Sequence, residues 1–130
     1  MRRTVREGGG FPEAAAYSRA VRIGSHVAVS GTAPLDGGML LHPGDAHGQT
    51  LAALRKALAA AAELGAQPND VIRTRMLLAA GSDWEGAARA HGEVFAGVDP
   101  ANTTYFVAGF IPEGVLVEVE LDAVVEAPPR

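Results

Sequence analysis

The hydrophobic and polar positions of this chain change period several times, and each change marks an element. His26-Val27-Ala28-Val29-Ser30 alternates with β-branched residues at every second position, which predicts a strand. Ala20-Val21-Arg22-Ile23 predicts another, with Gly24-Ser25 as the two-residue turn between them. Arg3-Thr4-Val5 is a shorter run of the same kind. Over residues 35–48 the period dissolves into a loop rich in Gly, Pro and Asp. From Leu51 the repeat is helical. Leu51, Leu54, Leu58, Ala61 and Ala62 recur every three or four positions, and Gly65 and Pro68 end the run. Residues 71–78 return to strand, and Ser82 and Glu85 are spaced as a capping box for a helix from Asp83 to about Phe95. Residues 103–110 and 115–125 predict two closing strands joined through Pro112-Glu113-Gly114, and the tail Pro128-Pro129-Arg130 is expected to fray.

The order βββαβαββ predicts an α+β fold, one domain over residues 1–130, with a mixed sheet carrying both helices on one face. The last strand describes both faces of that sheet. Val117, Val119, Leu121 and Ala123 fall on one side and Leu116, Glu118, Glu120 and Asp122 on the other. In the strand over 71–78, Ile72, Thr74, Met76 and Leu78 are expected beneath the helices, with Arg73, Arg75 and Leu77 opposite. The far face thus gathers three carboxylates and two guanidiniums. A solvent-facing antiparallel sheet face tolerates such charges.

Composition narrows the function classes. The net charge of −4 disfavours nucleic acid and anionic membrane as partners. No apolar run approaches the ~20 residues of a membrane span, and the basic start Met1-Arg2-Arg3-Thr4 leads into no signal-peptide core, so a cytoplasmic protein is expected. The absence of cysteine removes disulfides, thiolate nucleophiles and sulfur-based metal sites. The four histidines, His26, His42, His47 and His91, show no ligand spacing, so no metal is expected. Neither Gly8-Gly9-Gly10 nor Gly37-Gly38 joins a strand to a helix as a phosphate cradle does. No cofactor is expected.

Five short motifs stand in a particular order: Tyr17-Ser18-Arg19-Ala20-Val21, Val29-Ser30-Gly31-Thr32-Ala33-Pro34-Leu35, Gln49-Thr50, Pro100-Ala101-Asn102-Thr103-Thr104, and Pro112-Glu113-Gly114-Val115-Leu116-Val117-Glu118-Val119-Glu120. In that order and at those distances the chain resembles the Rid family, also called YjgF-like or L-PSP proteins. The resemblance implies the chorismate-mutase-like YjgF fold, a homotrimer, and ligand clefts between subunits. It also implies an imine deaminase, a hydrolase that converts enamines and imines to carbonyl compounds and ammonia.

Carried across residue by residue, the resemblance makes Glu118 the catalytic carboxylate that handles water, and places Tyr17, Ser30 and Gly31 in the ligand-binding cleft. The family's carboxylate-gripping arginine, which follows Pro-Ala, is missing. Counted forward from Pro100-Ala101 its place falls on Asn102; counted back from Pro112 it falls on Thr103. Tyr105 replaces a small residue two positions further on, and Ala88 stands where asparagine is frequent. Arg73 and Arg75 are the candidates to supply the lost charge, against pairing with Glu118, Glu120 or Asp122. Ser30 has no histidine–carboxylate partner pattern that would make it a nucleophile.

Two functions follow. One is a deaminase with altered substrate recognition, and the other a trimeric small-molecule binder without hydrolytic activity. A ribonuclease or translation inhibitor fits the acidic composition poorly.

Overall fold

A computed structural model describes residues 1–7 and 10–126. The expected fraying at Pro128-Pro129-Arg130 and two residues of the Gly8-Gly9-Gly10 run lie outside the described residues. In chain order the elements are β1 (Arg2–Val5), α1 (Gly10–Ala14), β2 (Ala20–Ile23), β3 (His26–Thr32), β4 (Leu35–Asp36), β5 (Met39–Leu40), α2 (Ala46–Glu63), β6 (Val71–Ala79), α3 (Trp84–Phe95), β7 (Ala101–Val107) and β8 (Val117–Val124).

The main sheet has the order β1-β2-β3-β8-β6-β7. All neighbours are antiparallel except β6 and β7, which run parallel around the crossover helix α3. This α+β arrangement is the expected one, with α2 lying over β3 and β8 and against α3. The alternation in β8 is realised fully: Val117, Val119, Leu121 and Ala123 are completely buried, and Glu118, Glu120 and Asp122 face the other side. Leu54, Ala57, Ala61, Met76, Leu78 and Phe95 complete the core beneath the helices. Gly24 closes the β2–β3 hairpin with φ 59°, a conformation that costs glycine little.

Several expectations are corrected. Helix α2 begins at Ala46 because Asp45 caps it, its carboxylate accepting from the Gly48 amide at 3.0 Å. The loop over 35–48 is therefore shorter than expected and contains the small β4–β5 hairpin. It is also fastened down. The buried Gln49 donates to the carbonyls of His42 and Gly114 at 3.2 Å each and accepts from the Leu116 amide at 2.8 Å.

Ser82 does not cap α3; Asp83 does, through the Gly86 amide at 3.0 Å. A carboxylate is the better acceptor at the positive end of a helix, and Ser82 Oγ is left buried without a partner among the described residues. Ile72 is half-exposed rather than under the helices, because a bulge between Val71 and Arg73 turns it outward and puts Val71 in the core. Helix α1 had no period to betray it, and β7 and β8 end earlier than their apolar runs.

Candidate functional site

The site is built where β3 loses its regular pairing. Between Val29 and Thr32 the β3–β8 ladder shifts register, so Ser30 and Gly31 stand out of step with β8. Arg19 secures this irregularity. Its Nη2 donates to the Gly31 carbonyl and to Thr32 Oγ1, both at 2.8 Å, and the Thr32 hydroxyl donates to the Ser30 carbonyl at 2.8 Å. The Arg19 side chain is 12% exposed, and its Nε faces the Glu7 carboxylate at 3.9 Å. Ser30 Oγ donates to the Ser18 carbonyl at 2.6 Å. That hydroxyl is occupied in holding the strand.

Against this framework β8 presents Glu118. A Cβ on Gly31 would stand 3.1 Å from Glu118 Oε1, so the missing side chain gives the carboxylate its space. Burial raises the Glu118 carboxyl above the ordinary carboxylate range; the Arg19 charge opposes this rise and Glu120 adds to it. No protein hydrogen bond reaches the Glu118 carboxylate among the described residues. It is a proton acceptor left open to whatever enters.

Glu118 borders a cleft of about 530 Å³, which Gly31, Tyr17 and Arg19 line together with Phe110, Ile111 and Lys56 among others. Such a volume suits a small organic molecule. Phe11, from α1, packs edge-on against Tyr17 with ring centroids 5.8 Å apart and extends the aromatic wall. A shallower depression on the far side of Tyr17 and Glu118 includes Ser30, Arg75, Glu120 and Asp122.

The structure thus brings four expected residues together: Tyr17, Ser30, Gly31 and Glu118. It does not bring Arg73, Thr103 or Tyr105 to the cleft of the same chain. Arg73 donates to Thr103 Oγ1 at 3.0 Å, and Arg75 lies 3.5 Å from Glu120 and 3.8 Å from Asp122. Both guanidiniums are therefore engaged, Arg75 with two of the carboxylates expected to pair with it.

Register separates Asn102 from Thr103. Asn102 pairs with the buried Thr74 and donates to its Oγ1 at 3.0 Å, so its side chain turns toward the helices. Thr103 stands in register with Arg75 and Glu120, on the charged face. Tyr105 is likewise in register with Leu77 and Glu118.

Sequence reasoning missed Arg19, Lys56, Phe11 and Phe110. Arg19 carried a usable signal, since in an extended run it shares a face with Tyr17 two residues earlier. Lys56 carried only its place two helical turns beyond Gln49. Among the described residues no cluster of His, Asp and Glu is arranged to hold a metal ion, and no helix is long and apolar enough to cross a membrane.

Comparisons with known proteins agree with this architecture. The family model described as Endoribonuclease L-PSP matches residues 10–125. An uncharacterised protein of Streptomyces coelicolor is 42% identical over 121 residues, covering 93% of this chain and 90% of that one. A RutC family protein of Pyrococcus abyssi is 30% identical over 106 residues, covering 80% and 82%. The crystal structure of a YjgF/YER057c/UK114 family member from Mycobacterium tuberculosis superposes with a TM-score of 0.86 at 37% identity, covering 96% of this chain and all of that one. With the motifs in register, the fold matched end to end and the family model spanning nearly the whole length, the chain belongs to the L-PSP (YjgF-like) family.

Proposed function

We propose that this protein hydrolyses the C=N bond of a small imine, or of the enamine that tautomerises to it, releasing ammonia and a carbonyl compound. The observation that carries the reading is the Glu118 carboxylate, half-buried at the wall of a cleft, its pKa raised by burial, and free of protein hydrogen bonds among the described residues. A base and acid for one substrate needs a pKa near the working pH, because it must take a proton and return it. As carboxylate, Glu118 accepts a proton from water while oxygen bonds to the imine carbon. The nitrogen then holds the former C=N electron pair and takes that proton back from Glu118, giving the neutral carbinolamine. Glu118 next removes the hydroxyl proton and delivers it to the amine, so that the C=O bond forms as the C–N bond breaks and ammonia leaves. Tyr17 supplies an apolar wall, and Gly31 the room for the carboxylate and its water.

A homotrimer with the cleft at the subunit boundary is part of the proposal. Strand β7 is the sheet edge, and Ala101–Phe106 are exposed along it, with Tyr105 and Phe106 about half uncovered. An exposed edge carrying aromatics calls for a cover. Association would carry Thr103 and Tyr105 to a neighbouring subunit's cleft, and light scattering would report the trimer mass.

The second reading, a binder without hydrolytic activity, is favoured by one observation. The arginine's place is taken by Asn102, tied to Thr74 and Thr104, and by Thr103, tied to Arg73. Neither is a cation. A ribonuclease reading fits the net charge of −4 poorly.

Imine lifetime decides between them. An amino acid oxidase generates 2-imino acids in situ, and their decay is followed with and without the protein across several side chains. Acceleration that vanishes in Glu118→Gln is expected; no acceleration for any side chain overturns hydrolysis in favour of binding.

A further inference from the structure

The cleft contains a cation that neither the sequence motifs nor the hydrolytic reading uses. Lys56 projects from α2 into the same 530 Å³ cleft as Glu118. It also borders the two smaller depressions on either side of Glu7. Its ammonium spends one donor on the Leu35 carbonyl at 3.1 Å, which ties it to the β4–β5 hairpin. No carboxylate lies within ion-pairing distance of it among the described residues. Two of its three donors thus have no protein acceptor among the described residues.

The other cations near the site are committed. Arg19 holds the bulge through Gly31 and Thr32 and faces Glu7. Arg75 is matched by Glu120 and Asp122, and Arg73 by Thr103.

We propose that Lys56 is the acid-binding cation of this cleft and that the ligand is a small organic monocarboxylate. Its acid group meets the Lys56 ammonium and its apolar body rests on Phe110, Ile111 and Leu35. Its other end reaches Glu118. This rests on the reading of the cleft as the ligand site, and it replaces the missing arginine of the edge strand with a lysine from a helix. A lysine is a point charge and not a planar fork, so it fixes one anionic group without setting its plane. Glu7 and Glu118 line the same cleft. Their negative charge selects against a dianion such as a phosphate monoester, which would also want more donors than one half-used ammonium offers.

The test uses phenylacetate and its uncharged isostere phenylacetamide, titrated by calorimetry or chemical-shift perturbation against the full chain. The reading is the ratio of the two affinities within each variant, so a general loss of cleft shape cancels. In the wild type, phenylacetate is expected to bind about tenfold more tightly than the amide, the scale of one charge-assisted hydrogen bond. Lys56→Met is expected to bring the ratio to about one, and Lys56→Arg to restore most of it. Arg55→Met removes an exposed charge one residue away and is expected to leave the ratio intact. Equal binding of the two probes to the wild type, binding of neither, or a preference that survives in Lys56→Met overturns the proposal. Imine hydrolysis separates this from the hydrolytic reading. An acid preference without turnover leaves Lys56 standing and removes hydrolysis; turnover whose carboxylate preference is unmoved by Lys56→Met does the reverse.

Discussion

Gly31 and Glu118 face each other so closely that a methyl group on the first would stand 3.1 Å from the carboxylate of the second. The contact joins an irregularity in one strand to an acid in the next, and it depends on a glycine that is not in the left-handed region of backbone space.

Alanine at position 31 should therefore separate function from stability. The backbone conformation suits alanine, and losing the flexibility of glycine in the unfolded chain favours folding by ~0.4–1 kcal/mol. The tight approach to Glu118 cancels roughly that much. Gly31→Ala is expected to melt within a few degrees of the wild type while imine hydrolysis falls about tenfold or more. A large drop in melting temperature with unchanged turnover would contradict the geometry.

Glu118→Gln should stabilise the protein at neutral pH. The folded state raises the Glu118 pKa, chiefly by burial, so it favours the protonated acid. That favourable contribution is complete below the unfolded value of about 4.3 and is lost as pH rises through the folded value. Above it the ionised group is a burden that glutamine does not carry. Chemical denaturation at pH 4 and pH 8 should show a gain for the variant only at the higher pH, alongside loss of hydrolysis.

Arg19→Met removes the guanidinium that spans the β3 irregularity and leaves Thr32, which is buried, short of a donor. With the side chain only 12% exposed, a loss of about 2–3 kcal/mol is expected in urea denaturation. Arg19→Lys should recover little of it, since one ammonium cannot reproduce the spread of the fork.

His91 should give the fold a pH dependence of its own. Its Nε2 lies 2.7 Å from Thr74 Oγ1, which also accepts from Asn102, and burial lowers its pKa. The folded state prefers the neutral ring. This contribution is full above the unfolded value of about 6.5 and fades as pH falls through the folded value. His91→Gln is expected to flatten the stability profile below pH 6.5. Thr74→Val, which strands both partners of that hydroxyl, should cost ~1–3 kcal/mol at pH 7–8.

Much of the fold was legible along the chain. The two-residue period of β8 predicted which side chains lie under the helices, and the three-to-four residue period predicted the body of α2. Apolar burial acts on each residue through its face, and face is a local property. The elements that escaped are held by specific polar bonds instead. Asp45 starts α2 early, Asp83 displaces Ser82 as a cap, and Gln49 fastens a loop that reads as free. The bulge that turned Ile72 outward leaves no trace in periodicity.

By itself the sequence determined the family, the order of the main-sheet strands and the two long helices, and the association of Tyr17, Ser30, Gly31 and Glu118 through short motifs. Only the tertiary structure decided which of Asn102 and Thr103 faces the charged side, because that turns on the β6–β7 register. It alone committed Arg73 and Arg75 to partners and placed Arg19 and Lys56 in the cleft. Ion pairs and clefts form between residues tens of positions apart, where strand order and helix docking set the distances, and no local period encodes a distance across a sheet.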